Sequence, residues 1–342
     1  MATVAPGGET TLDAYNHRSI GGRHYQEDRA KAIDDLNELI PESTKGDRSI
    51  RRALYCVFDG HGGDACSEFL FQNFHKHLLE KENLCEDPKA AIMSTWDECE
   101  EQFQSRMTAR YDRNAKGFKP KKEGDKPKFP GDGSTATVCL IEGNKVYIAS
   151  CGDSSAAVIR TNKSLEKFTR EHHTVDPEEV ARIEAAGGEL VQKTIKTPAP
   201  FPFCCTKMVD KPLGKPRVYP GGLLVTRAFG DFQAKLPVAG GIPGSIIHTC
   251  DPIREVMIED DWQYFVVASD GIWDGLTDEQ VPKVLKQELD DAQDDYGKGD
   301  DNKEKVRKRV VKGFVESATD SEFWRKNQCD ADNTTAIILF FK

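Results

Sequence analysis

The sequence predicts an α+β fold in which mainly antiparallel sheet packs against helices lying outside it. Two observations carry this. Short apolar, β-branched runs recur along the chain, and several follow one another across turn-length gaps, as at Glu142–Lys145 and Gly152–Ser155. Stretches with a three-to-four-residue apolar period stand between groups of such runs rather than alternating strictly with them, which argues against a parallel βαβ sheet.

Taken in order, Ala53–Phe58 is a strand. Asp64–Leu79 follows as a helix, because Leu70, Phe74 and Leu78 recur every four residues with Phe71 beside them. Pro88–Arg110 is a second helix. Ala136–Ile141, Val146–Cys151 and Ala156–Ile159 are strands joined by short turns. Pro177–Ala186 is helical, Leu223–Thr226 and Tyr264–Ser269 are strands, and Asp278–Leu289 and Lys303–Ser317 are helices. Pro282 belongs to a first helical turn, the one place a helix tolerates it. Thr335–Phe341 closes the chain as a strand. Three stretches read as excursions: Asp112–Asp132, with seven basic and four acidic residues; Gln192–Pro220, rich in Pro and Lys; and Glu288–Asp301, with seven acids and one Lys, expected as a solvated acidic loop.

No excursion has a boundary composition on both sides, so residues 1–342 are expected to form one domain. With 342 residues, 38% of them hydrophobic, the chain can bury a sizeable core. No apolar run approaches the ~20 residues of a membrane span. Met1–Glu9 has neither a basic nor an apolar leader segment, and Ala2 rules out N-myristoylation. The expectation is a cytoplasmic and/or nuclear protein without a membrane partner, monomeric by default. The ten cysteines fit reduced thiols, and none forms a CxxC pair. A net charge of −10 disfavours nucleic acid as a partner.

Five acidic motifs lie at strand ends. Asp59 follows ALYCVF, Asp270 follows YFVVAS, and Asp153 follows VYIASCG; Asp332 stands just before the last strand, and Glu27-Asp28 precede a short apolar-containing stretch. Asp-Gly is an ordinary turn dipeptide. Yet strand ends are rigid mounts, and five carboxylates meeting at one rim would repel one another unless cations neutralised them. Oxygen-only ligands select hard cations, Mg²⁺ or Mn²⁺ before Zn²⁺. Gly60 lets the backbone approach such an ion closely, and His61 beside Asp59 is a candidate general acid.

Rival readings fit less well. Gly60-His61-Gly62-Gly63-Asp64-Ala65 matches G-x-G-x-x-A, but Asp59 would abut a pyrophosphate, and the acid expected at the end of a second strand about 20 residues on is absent. Asp330-x-Asp332-x-Thr334 matches D-x-D-x-T of haloacid-dehalogenase-like enzymes, but it precedes the last strand instead of following an early one. No Cys has the C-x5-R spacing of a cysteine phosphatase, and Asp270–Gly275 lacks the acidic spacing of an EF-hand.

With these residues in view, the chain resembles the PPM-type, metal-dependent protein serine/threonine phosphatases, the protein phosphatase 2C family. The resemblance runs from about Ile20 to Phe341, with motifs in family order. They are Arg23-x-x-x-Glu27-Asp28, Val57-Phe58-Asp59-Gly60-His61-Gly62-Gly63, Gly133-Ser134-Thr135-Ala136 and Cys151-Gly152-Asp153-Ser154. Arg182-Ile183 with Gly187-Gly188, Leu224–Asp231, Ala268–Asp274 and Asp332-Asn333 complete the set.

The resemblance implies a four-layer α-β-β-α sandwich, two central mainly antiparallel sheets flanked by helix pairs, with a flap at about 170–222. It implies two Mn²⁺ or Mg²⁺ ions and a weaker third. Asp59 would bridge two ions; Asp270 and Asp332 would hold one; Glu27 and the Gly60 carbonyl would hold the other, with Asp28 reached through water. Asp153, Asp270 and Asp274 match the third site. Arg23 would grip phosphate with its guanidinium fork, and His61 would protonate the leaving Ser or Thr oxygen. A metal-activated water would attack phosphorus with no covalent phosphoenzyme, and phosphorylated proteins would be the substrates. The alternative is a catalytically silent binding module of the same fold, which would be expected to have lost a metal-ligand acid; Glu27, Asp59, Asp270 and Asp332 are all kept. Departures from the family pattern are Gln26 for Met, Glu171-His172-His173 for Asp-His-Lys, Thr226 for Ser, and a longer stretch between Gly188 and Arg217, expected to tune substrate choice.

Overall fold

The computed structural model describes residues 13–117, 129–200, 206–297, 299, 302–327 and 329–341. The N-terminal part holds β1 (Asp13–Ser19), β2 (Arg29–Ile33), β3 (Arg52–Phe58), β4 (Gly60–His61), α1 (Ala65–Leu79) and α2 (Pro88–Gly117). Next come β5 (Gly133–Ser134), β6 (Ala136–Glu142), β7 (Lys145–Cys151), β8 (Ser155–Arg160), β9 (Leu165–Lys167) and α3 (Pro177–Ala185). A hairpin of β10 (Glu189–Pro200) and β11 (Thr206–Tyr219) leads to β12 (Phe229–Gly230) and α4 (Phe232–Lys235). The C-terminal part holds β13 (Arg254–Met257), β14 (Trp262–Ala268), α5 (Asp270–Gly275), α6 (Val281–Tyr296), α7 (Lys303–Thr319), α8 (Glu322–Asn327) and β15 (Thr334–Phe340).

Two five-stranded sheets form the centre, ordered β1-β15-β14-β8-β9 and β13-β7-β6-β3-β2, and every pairing in them is antiparallel. The two-residue period of a strand sends alternate side chains to opposite faces. In β3, Leu54, Cys56 and Phe58 join Phe74 and Trp96 of α1 and α2, whereas Ala53, Tyr55 and Val57 face the other sheet. In β15, Ala336, Ile338 and Phe340 join Val310 and Phe314 of α7, whereas Ile337 and Leu339 face inward. Three apolar cores therefore separate four layers in the order helix, sheet, sheet, helix. Between the sheets Trp262, Phe265 and Phe168 stack with ring centroids 5.7–6.3 Å apart. Strands buried on both faces read as near-continuous apolar runs, which is why the central ones were legible.

Four expectations need correction. Leu223–Thr226 is not a strand: Leu223 and Val225 make only isolated bridges, to Val218 and His173. The segment wraps the base of the hairpin and finds no continuous partner. Gln192–Pro220 lies almost wholly in the β10–β11 hairpin, because a two-stranded ribbon leaves each strand an outer edge where a proline removes no ladder bond. Helix α6 starts at Val281, with Thr277 N bonded to Gln280 Oε1 at 2.8 Å ahead of it, and runs through the acidic stretch to Tyr296. Buried Leu285 and Ala292 keep the helical period there, while Asp290, Asp291, Asp294 and Asp295 are exposed and Glu288 turns inward to Arg309 and Ser317 of α7. Helix α2 continues past Arg110 to Gly117; residues 118–128 of the basic excursion and Cys204-Cys205 lie outside the described residues. Among the described residues no helix is long and apolar enough to cross a membrane.

The base of the hairpin is tied to the body by a buried carboxylate. Glu179 of α3 accepts from Arg227 Nη2 at 2.6 Å, Arg182 Nη2 at 2.7 Å and Thr226 Oγ1 at 2.7 Å. Burial works against its charge, but these bonds outweigh burial and hold the carboxyl at about 2.

Candidate active site

The acids gather where both central sheets end on one side. Asp59 follows β3, Asp153 lies in the β7–β8 turn, and Asp270 follows β14 after Ser269, so two sheets contribute to one cluster. Carboxylate oxygens of Asp59, Asp153 and Asp270 lie within 4.8 Å of one another. Burial and then the charges of Asp28 and Asp270 push the Asp59 carboxyl well above the usual range. Burial and then Asp153 and Asp332 do the same to Asp270. Burial also raises Asp153, although His173 and His61 pull the other way. Three carboxyls that resist joint ionisation form a site short of positive charge.

A cleft of about 690 Å³ opens over this cluster, and Arg23, Glu27, Gly60, His61 and Asp332 line it with the three acids. Arg23 sits at the rim, its Nη2 2.5 Å from Asp332 Oδ2. Glu27 accepts from Gly63 N at 2.7 Å, and burial raises its carboxyl. Gly63 has φ +137°, a conformation open to glycine, and a Cβ there would overlap the Asp132 carboxylate.

Asp28 and Asp274 do not line the cleft. Asp28 is fully buried beneath it. Its Oδ2 accepts from Ser269 Oγ at 2.9 Å, while Oδ1 has no hydrogen-bond partner. Burial, more than the nearby Asp332, pushes this carboxyl up to about 6. Asp274 lies on α5, raised by burial and drawn down by Lys215 and His173. His172 is structural: fully buried, with Nδ1 3.1 Å from Gly152 O and Nε2 3.2 Å from Asp251.

His61 is held by a residue to which the sequence reading gave no role. In the small sheet β12-β5-β4, His61 pairs with Gly133 and Gly133 pairs with Gly230, so Asp231 emerges beside the imidazole. Asp231 Oδ2 lies 2.7 Å from His61 Nε2, and Asp231 is fully buried. A Cβ at Gly133 would overlap both groups. Burial disfavours a charged His61, but the Asp231 charge and hydrogen bond outweigh it, and the net direction is upward. Asn333 is a second overlooked residue. Its Oδ1 accepts from Glu27 N at 2.7 Å, and its Nδ2 donates to Ile20 O and Tyr25 O at 3.0 and 3.2 Å. It thereby clamps the loop that carries Arg23 and Glu27. Both residues stand in quoted motifs, but no spacing rule reveals partners more than 150 positions apart.

The residues fit a hard divalent cation. The donor set is all oxygen, the carboxyls crowd one another, and Asp28 Oδ1 is a buried acceptor without a donor. The model for the protein phosphatase 2C family matches residues 16–323. The chain belongs to the protein phosphatase 2C family. Among curated members, the rice (Oryza sativa subsp. japonica) probable protein phosphatase 2C 59 is 30% identical over 70% of this chain and 58% of its own length. Rice probable protein phosphatase 2C 55 is 28% identical over 68% of this chain and 49% of its own. The chain thus spans about half the length of these relatives. Two solved structures share the protein phosphatase 2C fold seen here. A serine-threonine phosphatase 2C from Toxoplasma gondii has a TM-score of 0.63 at 19% identity, covering 99% of this chain and 96% of the other. A sex-determining protein of C. elegans has a TM-score of 0.66 at 22% identity, covering 97% of this chain and 65% of the other.

Proposed function

We propose that the chain hydrolyses phosphoserine and phosphothreonine esters on proteins, in a cleft that takes two Mn²⁺ or Mg²⁺ ions. The observation that carries this is the meeting of Asp59, Asp153 and Asp270 under a cleft with an arginine at its rim. Asp59, Asp270 and Asp332 would hold one ion, and Asp59, Glu27 and the Gly60 carbonyl the other, with Asp28 behind them through water. Asp153, Asp270 and Asp274 would serve a weaker third. When bound, the ions supply positive charge for the phosphoryl oxygens and acidify water.

The chain's own groups do the rest. Arg23, half-exposed at the rim, offers a planar fork to two phosphoryl oxygens. With Nε2 of His61 engaged by Asp231, Nδ1 is the atom left to give a proton to the departing Ser or Thr oxygen. The raised affinity of His61 for its proton suits an acid at neutral pH. Neither a cysteine nor a serine lines the cleft among the described residues, and Thr135 Oγ1 is engaged 2.8 Å from Ser154 Oγ. That argues against a Cys- or Ser-linked phosphoenzyme and fits water as the nucleophile. A catalytically silent module would be expected to have lost one of these acids, and all are present.

The test is turnover of a phosphothreonine peptide with Mn²⁺, with Mg²⁺ and with EDTA, alongside Asp59→Asn. Metal-dependent release of phosphate that the substitution abolishes is expected. A well-folded wild-type chain that leaves the peptide intact in either metal would refute the proposal.

A further inference from the structure

We propose that one face of the β10–β11 hairpin docks an acidic segment, containing aliphatic residues, of the phosphoprotein substrate. The inference rests on the phosphatase reading and names the substrate class for the same cleft. The two strands carry six basic residues and two acids in a chain whose net charge is −10. The register distributes them unevenly. Val191 opposes Arg217, Lys193 opposes Leu213, and Ile195 opposes Lys211. Directly opposed residues share a face, so Lys193, Leu213, Ile195 and Lys211 alternate on one side, and Val191 and Arg217 stand at its base across a register shift between Val191 and Lys193. The opposite side pairs Lys196 with Asp210 and Thr194 with Pro212 and carries no such excess.

This face is unpartnered. Val191 and Ile195 are each 43% exposed and Leu213 is 51% exposed. Lys193 and Lys211 are exposed, and neither makes an ion pair among the described residues. Solvated lysines beside exposed aliphatics suit a partner that brings both carboxylates and apolar side chains. The face is continuous with the cleft. Arg217 lines the cleft while its Nη1 donates to Gly222 O at 2.8 Å, with no carboxylate paired to it among the described residues. From Val191 to Ile195 the strip runs about 13 Å, the reach of roughly four extended residues. An extended segment next to a phosphorylated residue in the cleft would lie along it.

The test uses Lys193→Glu/Lys211→Glu in the full chain with Mn²⁺. One phosphothreonine peptide has Asp, Glu and Leu flanking the phosphorylated residue, and another has Gln and Gly there. p-Nitrophenyl phosphate reads the cleft alone. For the wild type, the acidic peptide should have a KM about tenfold lower than the neutral one, and raising salt to about 0.5 M should erase that difference. The double variant should lose the preference through KM, with kcat and p-nitrophenyl phosphate turnover unchanged. Fluorescence anisotropy of the labelled acidic peptide reads docking even where turnover is absent, so failure of the phosphatase reading is distinguishable from failure of this one. A dissociation constant about tenfold weaker in the variant supports docking. Equal affinity of both peptides for the wild type, or an unchanged dissociation constant in the variant, overturns it. Salt-sensitive capture by phosphatidylserine vesicles without peptide discrimination overturns it in favour of a lipid surface.

Discussion

Replacing Asp28 by Asn should stabilise the metal-free chain while harming its activity. Asp28 is fully buried, one of its oxygens has no donor, and its carboxyl is pushed from 3.8 up to about 6, by burial first. A folded-state value above the unfolded one means that the group supports the fold below about pH 4 and that this support is lost as pH rises through about 6. A shift of about two units is worth ~3 kcal/mol at about 1.4 kcal/mol per unit. Asn keeps the acceptor for Ser269 Oγ and removes the charge. In EDTA at about pH 7.5, Asp28→Asn should therefore be more stable than wild type by ~3 kcal/mol, or about 5 °C in Tm, and the gain should shrink toward zero near pH 4. Thermal melts and urea titrations across this range measure it. A variant no more stable than wild type at neutral pH, or a gain that does not vary with pH, refutes the reasoning. With Mn²⁺ present, the same variant should turn over phosphopeptide more slowly.

Asp231→Asn should lower kcat by roughly 10²-fold or more with little change in KM, and should move the basic limb of the pH–rate profile to lower pH, because the group that raises His61 is gone; steady-state kinetics from about pH 6 to 9 reads both effects. Gly133→Ala, whose Cβ would overlap His61 and Asp231, should give a similar loss of kcat with the fold retained by circular dichroism. Mn²⁺ at about 100 times its dissociation constant should stabilise the chain by ~2.7 kcal/mol, and EDTA should reverse the rise in Tm. Phe265→Ala, which empties the stacked layer between the sheets, should cost about 3–5 kcal/mol in a urea melt.

The parts of the fold legible in the sequence are those whose own residues impose it. Ala53–Phe58 and Tyr264–Ala268 are buried on both faces, so their apolar runs announce strands without help from partners. Helix α1 shows its buried stripe through Phe69, Leu70, Phe74 and Leu78. β1 and β2 escaped notice because DAYNHRS and RAKAI are mostly half-buried edge strands whose order comes from pairing with β15 and β3. The β10–β11 hairpin escaped because its prolines read as breakers, although the outer edges tolerate them.

The same distinction governs the site. Asp59, Asp153 and Asp270 were legible because each terminates a recognisable strand, and rigid strands carry their ends to one rim. Asp28 and Asp274 share those motifs but do not line the cleft: one lies buried beneath it, beside Ser269 and Asp59, and the other sits on α5 near Lys215. A position in a motif does not say which way a side chain turns. Asp231 and Asn333 act through partners 170 and 306 residues away, and only the register of the small sheet and the folding of the Ile20–Glu27 loop bring them into play.

The central claim is that these carboxylates form a cation site at the bottom of the cleft. Equilibrium dialysis of the wild-type chain and Asp59→Asn against Mn²⁺ at about neutral pH tests it most directly. The account predicts about two equivalents bound by the wild type and loss of binding in Asp59→Asn, with the variant's fold intact. A wild-type chain that binds no Mn²⁺, or an Asp59→Asn chain that binds as many equivalents with the same affinity, would contradict it.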